Sequence, residues 1–242
     1  NIDVIIHLAN VANDPTVELN PNLSWEINVL AAKIMADHAI KNKVKKLIFF
    51  SSGSVYGLKK EKKVTEELKL NPITAYNKTK MIAERVFLSF KDKIEVICLR
   101  PATVCGVSER LRLDVTVNKL TFDGFFKKKI FVDGGKQVRP NIHIEDIVRI
   151  IDHFVLSKKK FKHNIYNIGF ENLSILQIAK KIQKRLRVKI KINKSRDIRS
   201  YRQDSSRLIK TGFKPKYSVD HAIDQLIEYF KIKKLSNFGV NN

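Results

Sequence analysis

Cysteine, acidic side chains and long apolar runs are all scarce in this sequence. The two cysteines, Cys98 and Cys105, lie in apolar segments without a second pair or a nearby histidine at metal-ligand spacing. We therefore expect buried free thiols, no disulfide and no metal site. No window of about 18 uninterrupted apolar residues occurs, and no charged and then apolar start precedes a small-residue cleavage site. Neither a membrane span nor a secretory signal is predicted, so we expect a cytoplasmic protein without a membrane partner.

The shortage of acidic residues leaves a large positive charge. The 242 residues include 47 lysines and arginines against 24 aspartates and glutamates, for a formal net charge of +23. Such an excess can bind nucleic-acid phosphates. Here the basic residues are spread over predicted helix faces and turns, with little aromatic interleaving and no recognisable nucleic-acid module. We interpret them as a solvated lysine-rich surface and expect no nucleic-acid partner, with salt-sensitive binding to DNA or RNA as the alternative.

Strand-like and helix-like segments alternate in the first hundred residues. Short apolar runs predict buried strands at 4–8, 46–50 and 95–100. Helical spacing of apolar residues predicts amphipathic helices at 20–41 and 76–91. This alternation requires right-handed crossovers, and it predicts an α/β fold with a parallel sheet covered by helices on both faces.

The rest of the chain is expected to form a smaller mixed α/β lobe, interleaved with the last elements of the sheet. Its predicted strands are 129–133, 164–168 and 189–192, and its predicted helices are 145–156, 174–186 and 219–230. Ligands of parallel sheets bind at the carboxyl ends of the strands. The segments HLAN, SSGSVYG and RPATVCG follow the first three strands, so we expect the site there.

The strongest chemical signal is Tyr76 and Lys80, four residues apart at the start of a predicted helix, together with Ser52 at a strand end. Residues at i and i+4 share a helix face, so the Lys80 ammonium can lie near the Tyr76 phenol. A nearby cation lowers a tyrosine pKa from its reference value of about 10. Such a phenol can exchange a proton with a sugar oxygen while hydride moves to or from a nicotinamide, and Ser52 can hydrogen-bond the same oxygen.

A series of motifs accompanies these three residues. They are HLAN at 7–10, Asn28 in EINV, SSGSVYG at 51–57, TEE at 65–67, NPITAYNKTKMIAE at 71–84, LRPATVCG at 99–106, GGKQVRPNIHIEDI at 134–147 and YRQDSSRLIKTGFKPK at 201–216. Their order and spacing resemble those of nucleotide-sugar epimerases and dehydratases of the extended short-chain dehydrogenase/reductase class. The resemblance spans nearly the whole chain, and it implies a Rossmann-like fold, NAD as cofactor with NADP left open, and a nucleotide-diphosphate sugar as substrate.

The resemblance also implies roles for individual residues. Ser52, Tyr76 and Lys80 are the implied catalytic residues, and Tyr76 and Lys80 also contact the cofactor. The other implied cofactor contacts are Leu8 and Ala9 through their backbone, the side chain of Asn28, and Pro101, Ala102 and Val104. The implied substrate contacts are Ser54, Thr103, Asn118, Leu120, Arg139 and Arg199.

Three of these substrate residues carry a specific expectation. Asn118 resembles the asparagine that holds the nucleotide diphosphate. Arg139 resembles a diphosphate-binding arginine, whose guanidinium suits phosphate geometry. Arg199 is preferred over Lys194 and Arg202 as the second basic contact. His143, a lone histidine in an apolar setting, is expected to pack and hydrogen-bond, and not to act as a base or metal ligand.

One departure from the family pattern concerns the glycines. The nine glycines include no GxxGxxG turn, which in this class admits the cofactor pyrophosphate to a helix N-terminus. The chain begins at what resembles the fourth strand of the fold, so the Rossmann-like sheet is expected to be N-terminally incomplete. Either a longer gene product or a shortened protein with a compromised cofactor site fits this pattern. For the chain as given, we expect weak or absent NAD binding and an exposed sheet edge.

A second departure bears on the reaction. Sugar 4,6-dehydratases usually have an acidic pair after the serine-equivalent position, whereas Ser52 is followed by Gly53 and Ser54, so dehydration is disfavoured. The resemblance then implies an epimerase like UDP-glucose 4-epimerase, in surface polysaccharide or nucleotide-sugar biosynthesis. A 4-keto-sugar reductase and a noncatalytic relative that acts as a binding module are the alternatives.

The expected organisation follows the resemblance. Residues 1–110 are assigned to a truncated NAD(P)-binding domain with the catalytic residues. Residues 111–242 are assigned to a substrate-binding lobe that includes late Rossmann elements at about 140–170. Relatives pair through the helices that contain Asn28 and Tyr76, so a homodimer is also implied.

Overall fold

The computed structural model describes residues 2–194 and 200–233, and these divide by internal packing into two units. The first unit comprises residues 2–102, 150–170 and 201–214, and the second comprises 103–149, 171–194, 200 and 215–233. The chain therefore enters each unit more than once. Residues 103–110 belong with the second unit because strand β4, defined below, pairs there.

The helices and strands follow one another along the chain in an alternating pattern. The strands are β1 (Val4–His7), β2 (Lys46–Phe50), β3 (Glu95–Pro101), β4 (Thr103–Cys105), β5 (Lys129–Asp133), β6 (Val138–His143), β7 (Ile165–Ile168), β8 (Glu171–Ser174) and β9 (Lys189–Asn193). The α-helices are α1 (Asp14–Leu19), α2 (Pro21–Trp25), α3 (Ala31–Lys41), α4 (Ala75–Leu88), α5 (Thr116–Phe126), α6 (Ile144–Leu156), α7 (Ile175–Leu186), α8 (Ser206–Ile209) and α9 (Val219–Ile232).

The first unit is built on a four-stranded parallel sheet in the order β1-β2-β3-β7. Both faces of β2 are buried, since Leu47, Ile48 and Phe49 are all inaccessible to solvent. Leu47 and Phe49 join a core with Ala36 of α3 and Phe87 of α4. Burying such a side chain contributes about 1.5–3 kcal/mol. The parallel Rossmann-like sheet with covering helices confirms the predicted fold class.

The helix predicted at 20–41 is present but is not a regular α-helix. It consists of α2, a π-helical turn at Glu26–Leu30 and α3 in direct succession. A π turn inserts one residue into the helix and rotates the residues that follow, a distortion often found at functional sites. Here the turn contains Asn28, which is buried. Apolar periodicity at 3.6 residues could not reveal this insertion.

The helix predicted at 76–91 begins and ends slightly earlier. Thr74 caps α4 by accepting a hydrogen bond from the Asn77 backbone N–H. At the other end, the Lys91 N–H donates to the Leu88 carbonyl, three residues back, so the chain tightens into turns there. The N-terminal cap places Tyr76 and Lys80 in the first two turns of α4.

The second unit is a mixed α/β structure. Strands β4 and β6 are parallel, β6 and β8 are antiparallel, and β5 and β9 form a separate parallel pair. Its core brings together α5, α7 and α9, with Leu120, Ile178, Ile182 and Leu226 buried at the centre. This confirms the predicted mixed lobe.

Several elements of this unit were missed by the sequence patterns. Helix α5 has no side-chain cap and carries Gly124 near its end, and glycine costs a helix about 1 kcal/mol relative to alanine. A Cβ at Gly124 would lie 3.1 Å from the Leu186 side chain and 3.2 Å from that of Ile182, so the glycine admits α7. Strands β4, β6 and β8 are only three to six residues long, and β6 contains Pro140.

Membrane-spanning helices and metal-binding side-chain clusters are both absent from the described residues. None of the helices in this part of the chain has the length and apolarity needed to cross a membrane. In the same residues, no group of three or more histidine, cysteine, aspartate or glutamate side chains is arranged to hold a metal ion. Cys98 and Cys105 are buried free thiols, as predicted.

Candidate active site

The loop after β1 is held by two asparagines. Asn10 donates a hydrogen bond to the Leu8 carbonyl at 2.8 Å, which closes the HLAN turn. Asn28 accepts from the Val11 N–H at 2.7 Å and donates to the Val11 carbonyl at 3.1 Å. Its second amide proton goes to Thr79 Oγ1 of α4 at 3.0 Å. The buried Asn28 therefore ties the loop after β1 to the helix that carries Tyr76, and its predicted contact with the cofactor stays a prediction.

Ser52 begins a short 3₁₀ turn, Gly53–Tyr56, directly after β2. Its hydroxyl oxygen accepts from the Ser54 N–H at 3.2 Å and lies 2.7 Å from Ser54 Oγ. Ser54 Oγ in turn donates to Asn77 Oδ1 at 2.5 Å. Because Ser54 has one hydroxyl proton and gives it to Asn77, Ser52 must be the donor to Ser54. A directed chain of hydrogen bonds thus runs from Ser52 through Ser54 to the residue that follows Tyr76.

Gly53 is required by close packing. A Cβ at this position would lie 2.9 Å from the Pro101 carbonyl oxygen and 3.3 Å from the Tyr201 hydroxyl. Backbone cannot yield to such a contact cheaply, so any side chain here would displace the turn that carries Ser52. The position after Ser52 therefore has no room for a carboxylate.

Lys80 is almost fully buried, and its ammonium lies 4.5 Å from the centre of the Phe49 ring of β2. Within the described part of the chain it forms no hydrogen bond or ion pair. Burial lowers the pKa of Lys80 to about 7, with small opposing contributions from Cys98 and Glu84. Tyr76 is half-buried one turn earlier on the same helix. The helix that carries the candidate phenol thus also carries a buried lysine without an ion-pair partner among the described residues.

The carboxyl ends of β1 and β2 carry polar atoms that lack a partner among the described residues. These atoms are His7 Nε2, Asn10 Oδ1 and Ser51 Oγ, all inaccessible to solvent. The His7 ring packs against Phe49 at 5.9 Å and Phe87 at 5.3 Å, and burial together with nearby Lys80 lowers its pKa. Buried polar groups normally have partners. Unmet donors and acceptors at these strand ends fit the hydroxyl and amide groups of a dinucleotide.

A buried network behind Ser52 was missed by sequence reasoning. Arg100 of β3 forms a bidentate ion pair with Glu84 of α4, at 3.0 Å and 2.5 Å, and donates to the Tyr56 hydroxyl at 2.7 Å. Tyr56 donates to Asn167 Oδ1 at 2.8 Å. Burial raises the pKa of Tyr56 to about 12, so this phenol stays protonated. Tyr56, Glu84 and Arg100 all lie in the motifs quoted above, but they come from three different elements, so no spacing along the chain connects them.

The side chains of two predicted substrate residues, Asn118 and Leu120, contact other residues of the second unit. Asn118 accepts from the Gly106 N–H at 3.1 Å and donates to the carbonyls of Gly106 and Arg112. Leu120 is part of the core. Their contacts with substrate remain predictions.

The other predicted positions in and around this unit lie on strands, in loops or outside the described residues. Thr103 and Val104 pair with Asn141 and Ile142 through β4 and β6, and Arg139 is on β6. Among the basic candidates, Lys194 and Arg202 are exposed, whereas Arg199 lies outside the described residues.

His143 behaves as expected for a packing residue. Its Nδ1 accepts from the Glu145 N–H at 3.1 Å, so Nε2 carries the proton toward Gln225 Oε1 at 2.9 Å. The ring stacks on Tyr217 at 5.1 Å. These contacts confirm the expectation that His143 packs and hydrogen-bonds.

Fold and site together define a Rossmann-like α/β protein in which a serine at a strand end is linked by hydrogen bonds to the helix that carries a tyrosine and a buried lysine. Residues 1–169 match the model of the NAD dependent epimerase/dehydratase family. Since the match covers more than half of the chain, the protein belongs to that family. The predicted family is confirmed, and so is NAD as the cofactor, because the family is NAD-dependent.

Three similar proteins illustrate the range of the family. A UDP-glucose 4-epimerase from Lactobacillus helveticus is 30% identical over 207 residues, covering 75% of this chain and 62% of the relative. A dTDP-D-glucose 4,6-dehydratase from Dictyostelium discoideum is 28% identical over 198 residues, covering 75% and 44%. The crystal structure of a UDP-glucuronic acid 4-epimerase from Bacillus cereus, with UDP-glucuronic acid and NAD, has a TM-score of 0.83, 26% identity and coverage of 96% and 76%. The chain spans less than two thirds of the two curated relatives.

Proposed function

We propose that this chain carries the catalytic residues of an NAD-dependent nucleotide-sugar epimerase that acts on a substrate such as UDP-glucose. The observation that carries the proposal is the chain of hydrogen bonds from Ser52 through Ser54 to Asn77, which holds the serine turn against the catalytic helix. Supporting it, Lys80 is buried on that helix without a counter-charge. Such an enzyme would supply epimerised sugars for surface polysaccharide or other nucleotide-sugar biosynthesis.

Each catalytic residue has a defined task in this proposal. Tyr76 takes the proton from a sugar hydroxyl and later returns it to the carbonyl oxygen. Lys80 stabilises the phenolate, since a cation in a desolvated site interacts strongly with a developing negative charge. Ser52 turns its hydroxyl proton from Ser54 toward the sugar oxygen. Tyr56 cannot replace Tyr76, because its hydroxyl is enclosed between Arg100 and Asn167.

NAD would be held at the strand ends of the first unit by the backbone of Leu8 and Ala9, by Lys80, and by Pro101 and Ala102. The unpartnered atoms of His7, Asn10 and Ser51 support this placement. When bound, NAD supplies reversible hydride transfer at a sugar carbon. Asn118, Leu120, Thr103 and Arg139 are proposed for the nucleotide sugar, with Arg199 as a second basic contact and Val104 toward the cofactor.

Epimerisation is favoured over dehydration by the packing at Gly53. Elimination of water needs an acid and a base beside the sugar, and the position after Ser52 has no space for a carboxylate. A 4-keto-sugar reductase would use the same three residues and is the second candidate. A binding module without turnover is the third candidate. It would not account for the burial of Lys80 without a counter-charge.

The deciding experiment is product analysis with the full-length gene product that contains this chain, NAD and UDP-glucose, followed by proton NMR of the sugar. We expect the 4-epimer to accumulate toward equilibrium with no net formation of NADH, and Tyr76→Phe to abolish the reaction. Net consumption of NAD(P)H with a 4-keto-sugar would favour the reductase. Binding of the nucleotide sugar without turnover, equal in wild type and Tyr76→Phe, would overturn the enzymatic proposal.

We further propose that the protein is a homodimer, paired through the helices of the first unit. Leu23, Leu30 and Ile34 on α2, the π turn and α3 are 44%, 55% and 50% exposed. Apolar side chains clustered on one exposed helix face are typical of protein interfaces. A second copy of the same helices would bury this face in a four-helix bundle.

A further inference from the structure

Helix α4 buries a basic and an acidic side chain, Lys80 and Glu84, on the face that covers the sheet. They are 2% and 1% exposed. Residues at i and i+4 of a helix have Cβ atoms about 5–6 Å apart, so these two side chains are within reach of each other. An ion pair between them would be strong, because little water screens it. Lys80 nevertheless forms no ion pair within the described part of the chain, and its ammonium lies over the ring of Phe49.

Strand β3 holds the carboxylate away from Lys80. Arg100 Nε donates to Glu84 Oε2 at 3.0 Å, and Arg100 Nη2 donates to Glu84 Oε1 at 2.5 Å. The guanidinium is held from its other side as well, since Nη1 donates to the Tyr56 hydroxyl at 2.7 Å and to the Glu66 carbonyl at 3.4 Å. A guanidinium binds both oxygens of a carboxylate at once, which an ammonium cannot do. The carboxylate of Glu84 is therefore directed toward β3.

The strands beneath Lys80 supply no other counter-charge. His7 of β1 and Cys98 of β3 lie on either side of Phe49 in the register of the sheet. Burial lowers the pKa of His7 and raises the pKa of Cys98 well above its ordinary value, so both groups are neutral near pH 7. Glu84 is thus the acidic group that could neutralise Lys80.

The helices packed against α4 do not change this balance. The charged residues of these helices, of the π turn and of α4 itself are Asp14, Glu18, Glu26, Lys33, Asp37, His38, Lys41, Lys78 and Arg85. All are exposed except Asp14, which is half-buried and accepts from Thr74 Oγ1 at 2.6 Å. Water and salt screen exposed charges, so they affect a buried ammonium only weakly.

We propose that Arg100 is a positioning residue that keeps Lys80 free of an ion pair. By binding both oxygens of Glu84, it prevents that carboxylate from neutralising the ammonium one turn earlier on α4. The charge of Lys80 is then left for the Tyr76 phenolate. This last step rests on the function proposed above, whereas the effect of Arg100 on Lys80 does not.

The test measures the pKa of Lys80 in the full-length gene product that contains this chain, without NAD or sugar. In each background, urea unfolding from about pH 6 to 10 compares the protein that has Lys80 with its Lys80→Met counterpart. The relative stability rises with pH between the folded pKa, about 7 in wild type, and the unfolded pKa of about 10.4. The pH at which this rise begins therefore reports the folded pKa of Lys80.

The two single variants should change the pKa of Lys80 in opposite directions. Arg100→Met leaves Glu84 free to pair with Lys80, so the rise should begin at a higher pH than in wild type. Glu84→Gln leaves an unpaired guanidinium near Lys80, so the rise should begin at a lower pH. Loosened packing would instead admit water in both variants and raise the pKa of Lys80 in both.

The double variant Arg100→Met/Glu84→Met removes both charges together. Replacement of a buried ion pair by apolar residues of similar volume is often neutral or stabilising. We expect the pKa of Lys80 to stay near 7, because neither charge is left to shift it. The control is Arg185→Met, which breaks partly exposed pairs with Asp220 and Asp224 and should not affect Lys80.

Epimerisation rates provide the second readout. Arg100→Met should lower kcat by about tenfold or more, and the double variant should recover most of the loss, because Lys80 is again without a counter-charge. A purely structural role for the Arg100–Glu84 pair predicts no recovery. Circular dichroism verifies the fold of each variant. If Arg100→Met does not fold, Arg100→Lys replaces it, and a smaller rise in the pKa of Lys80 is expected.

The outcomes separate this inference from the proposed function. An unchanged pKa of Lys80 in the Arg100 and Glu84 variants, or a rise in both, would overturn the role of Arg100 even in an active enzyme. A folded double variant without recovered activity would also overturn it. Opposite pKa changes in a protein without epimerase activity would support the role of Arg100 and refute the proposed function.

Discussion

Ser54 Oγ donates a 2.5 Å hydrogen bond to Asn77 Oδ1, so the turn that follows β2 is attached to the residue next to Tyr76. This bond also orients Ser52, whose hydroxyl donates to Ser54. The hydrogen bond therefore holds the Ser52 turn and helix α4 together, although Ser54 and Asn77 are 23 residues apart in sequence.

Asn77→Ala is expected to lower kcat by up to about a hundredfold with a smaller change in KM, because loss of the acceptor lets the Ser52 turn shift. Asn77→Asp keeps an acceptor for Ser54 and should recover part of the activity. Steady-state epimerisation rates measure both effects. Lys78→Ala, at the exposed neighbouring position, is the control, and an equal effect there would refute a positioning role for Asn77.

Tyr76→Phe is expected to reduce activity, whereas Tyr56→Phe is expected to reduce stability. Removal of the Tyr76 hydroxyl takes away the proton relay and should reduce kcat by at least about a hundredfold at nearly unchanged stability. Removal of the buried Tyr56 hydroxyl takes one hydrogen bond from Arg100 and one from Asn167 and should cost about 1–3 kcal/mol of unfolding free energy. Activity assays at low temperature and urea titrations distinguish the two. Equal losses of activity in folded Tyr76→Phe and folded Tyr56→Phe would contradict the assignment of Tyr76 as the proton relay.

Lys80→Met is expected to abolish activity and to change how stability depends on pH. The folded pKa of Lys80 is lowered to about 7, whereas an unfolded lysine titrates near 10.4. Between these values the unfolded chain holds a proton that the folded chain lacks. The stability of wild type relative to Lys80→Met should therefore rise with pH in this window, by up to about 1.4 kcal/mol per pH unit.

Below about pH 7, Lys80 is protonated in both the folded and the unfolded chain. The difference in unfolding free energy between wild type and Lys80→Met should then no longer change with pH, and wild type should have its lowest stability relative to the variant. Urea unfolding at several pH values from 6 to 9.5, without added cofactor, measures this difference. If the unfolding free energies of wild type and Lys80→Met changed with pH in parallel, the pKa of Lys80 would not be lowered by burial.

Glu84→Gln is expected to destabilise the first unit by about 3–5 kcal/mol, because it leaves the buried Arg100 guanidinium without its counter-charge. The matched control is Glu228→Gln, which breaks an exposed pair with Lys231 and should cost at most about 1 kcal/mol. Denaturant titration of both variants makes the comparison. Similar costs would mean that burial adds nothing to the Arg100–Glu84 pair.

Leu30→Glu/Ile34→Glu is expected to convert the proposed homodimer to a monomer, since the charges would lie on the apolar helix face. Sedimentation velocity reports the change. Leu156→Glu places the same charge at an exposed apolar residue on α6 and should leave the assembly intact. A wild-type monomer, or dissociation by the control as well, would refute this interface.

Much of the fold was predictable because its signals are local. The apolar runs at β2 and β3 and the spacing along α4 and α7 reflect burial within single elements, which periodicity detects. Helix α5 and strands β4, β6 and β8 were missed. Their residues are stabilised by neighbours distant in sequence, and Gly124 or Pro140 weakens the local pattern.

That Tyr76 and Lys80 share one helix face could be predicted from the chain alone, because four residues along a helix set their spacing whatever surrounds them. The partners of Asn28, Ser54, Gly53 and Arg100 could not. Those contacts join residues 16 to 51 positions apart or depend on a backbone approach, so they arise from the register of the parallel strands and the path of the crossovers. Burial of Lys80 without a counter-charge is likewise a property of the packed sheet and helix together, since no residue type or spacing encodes it.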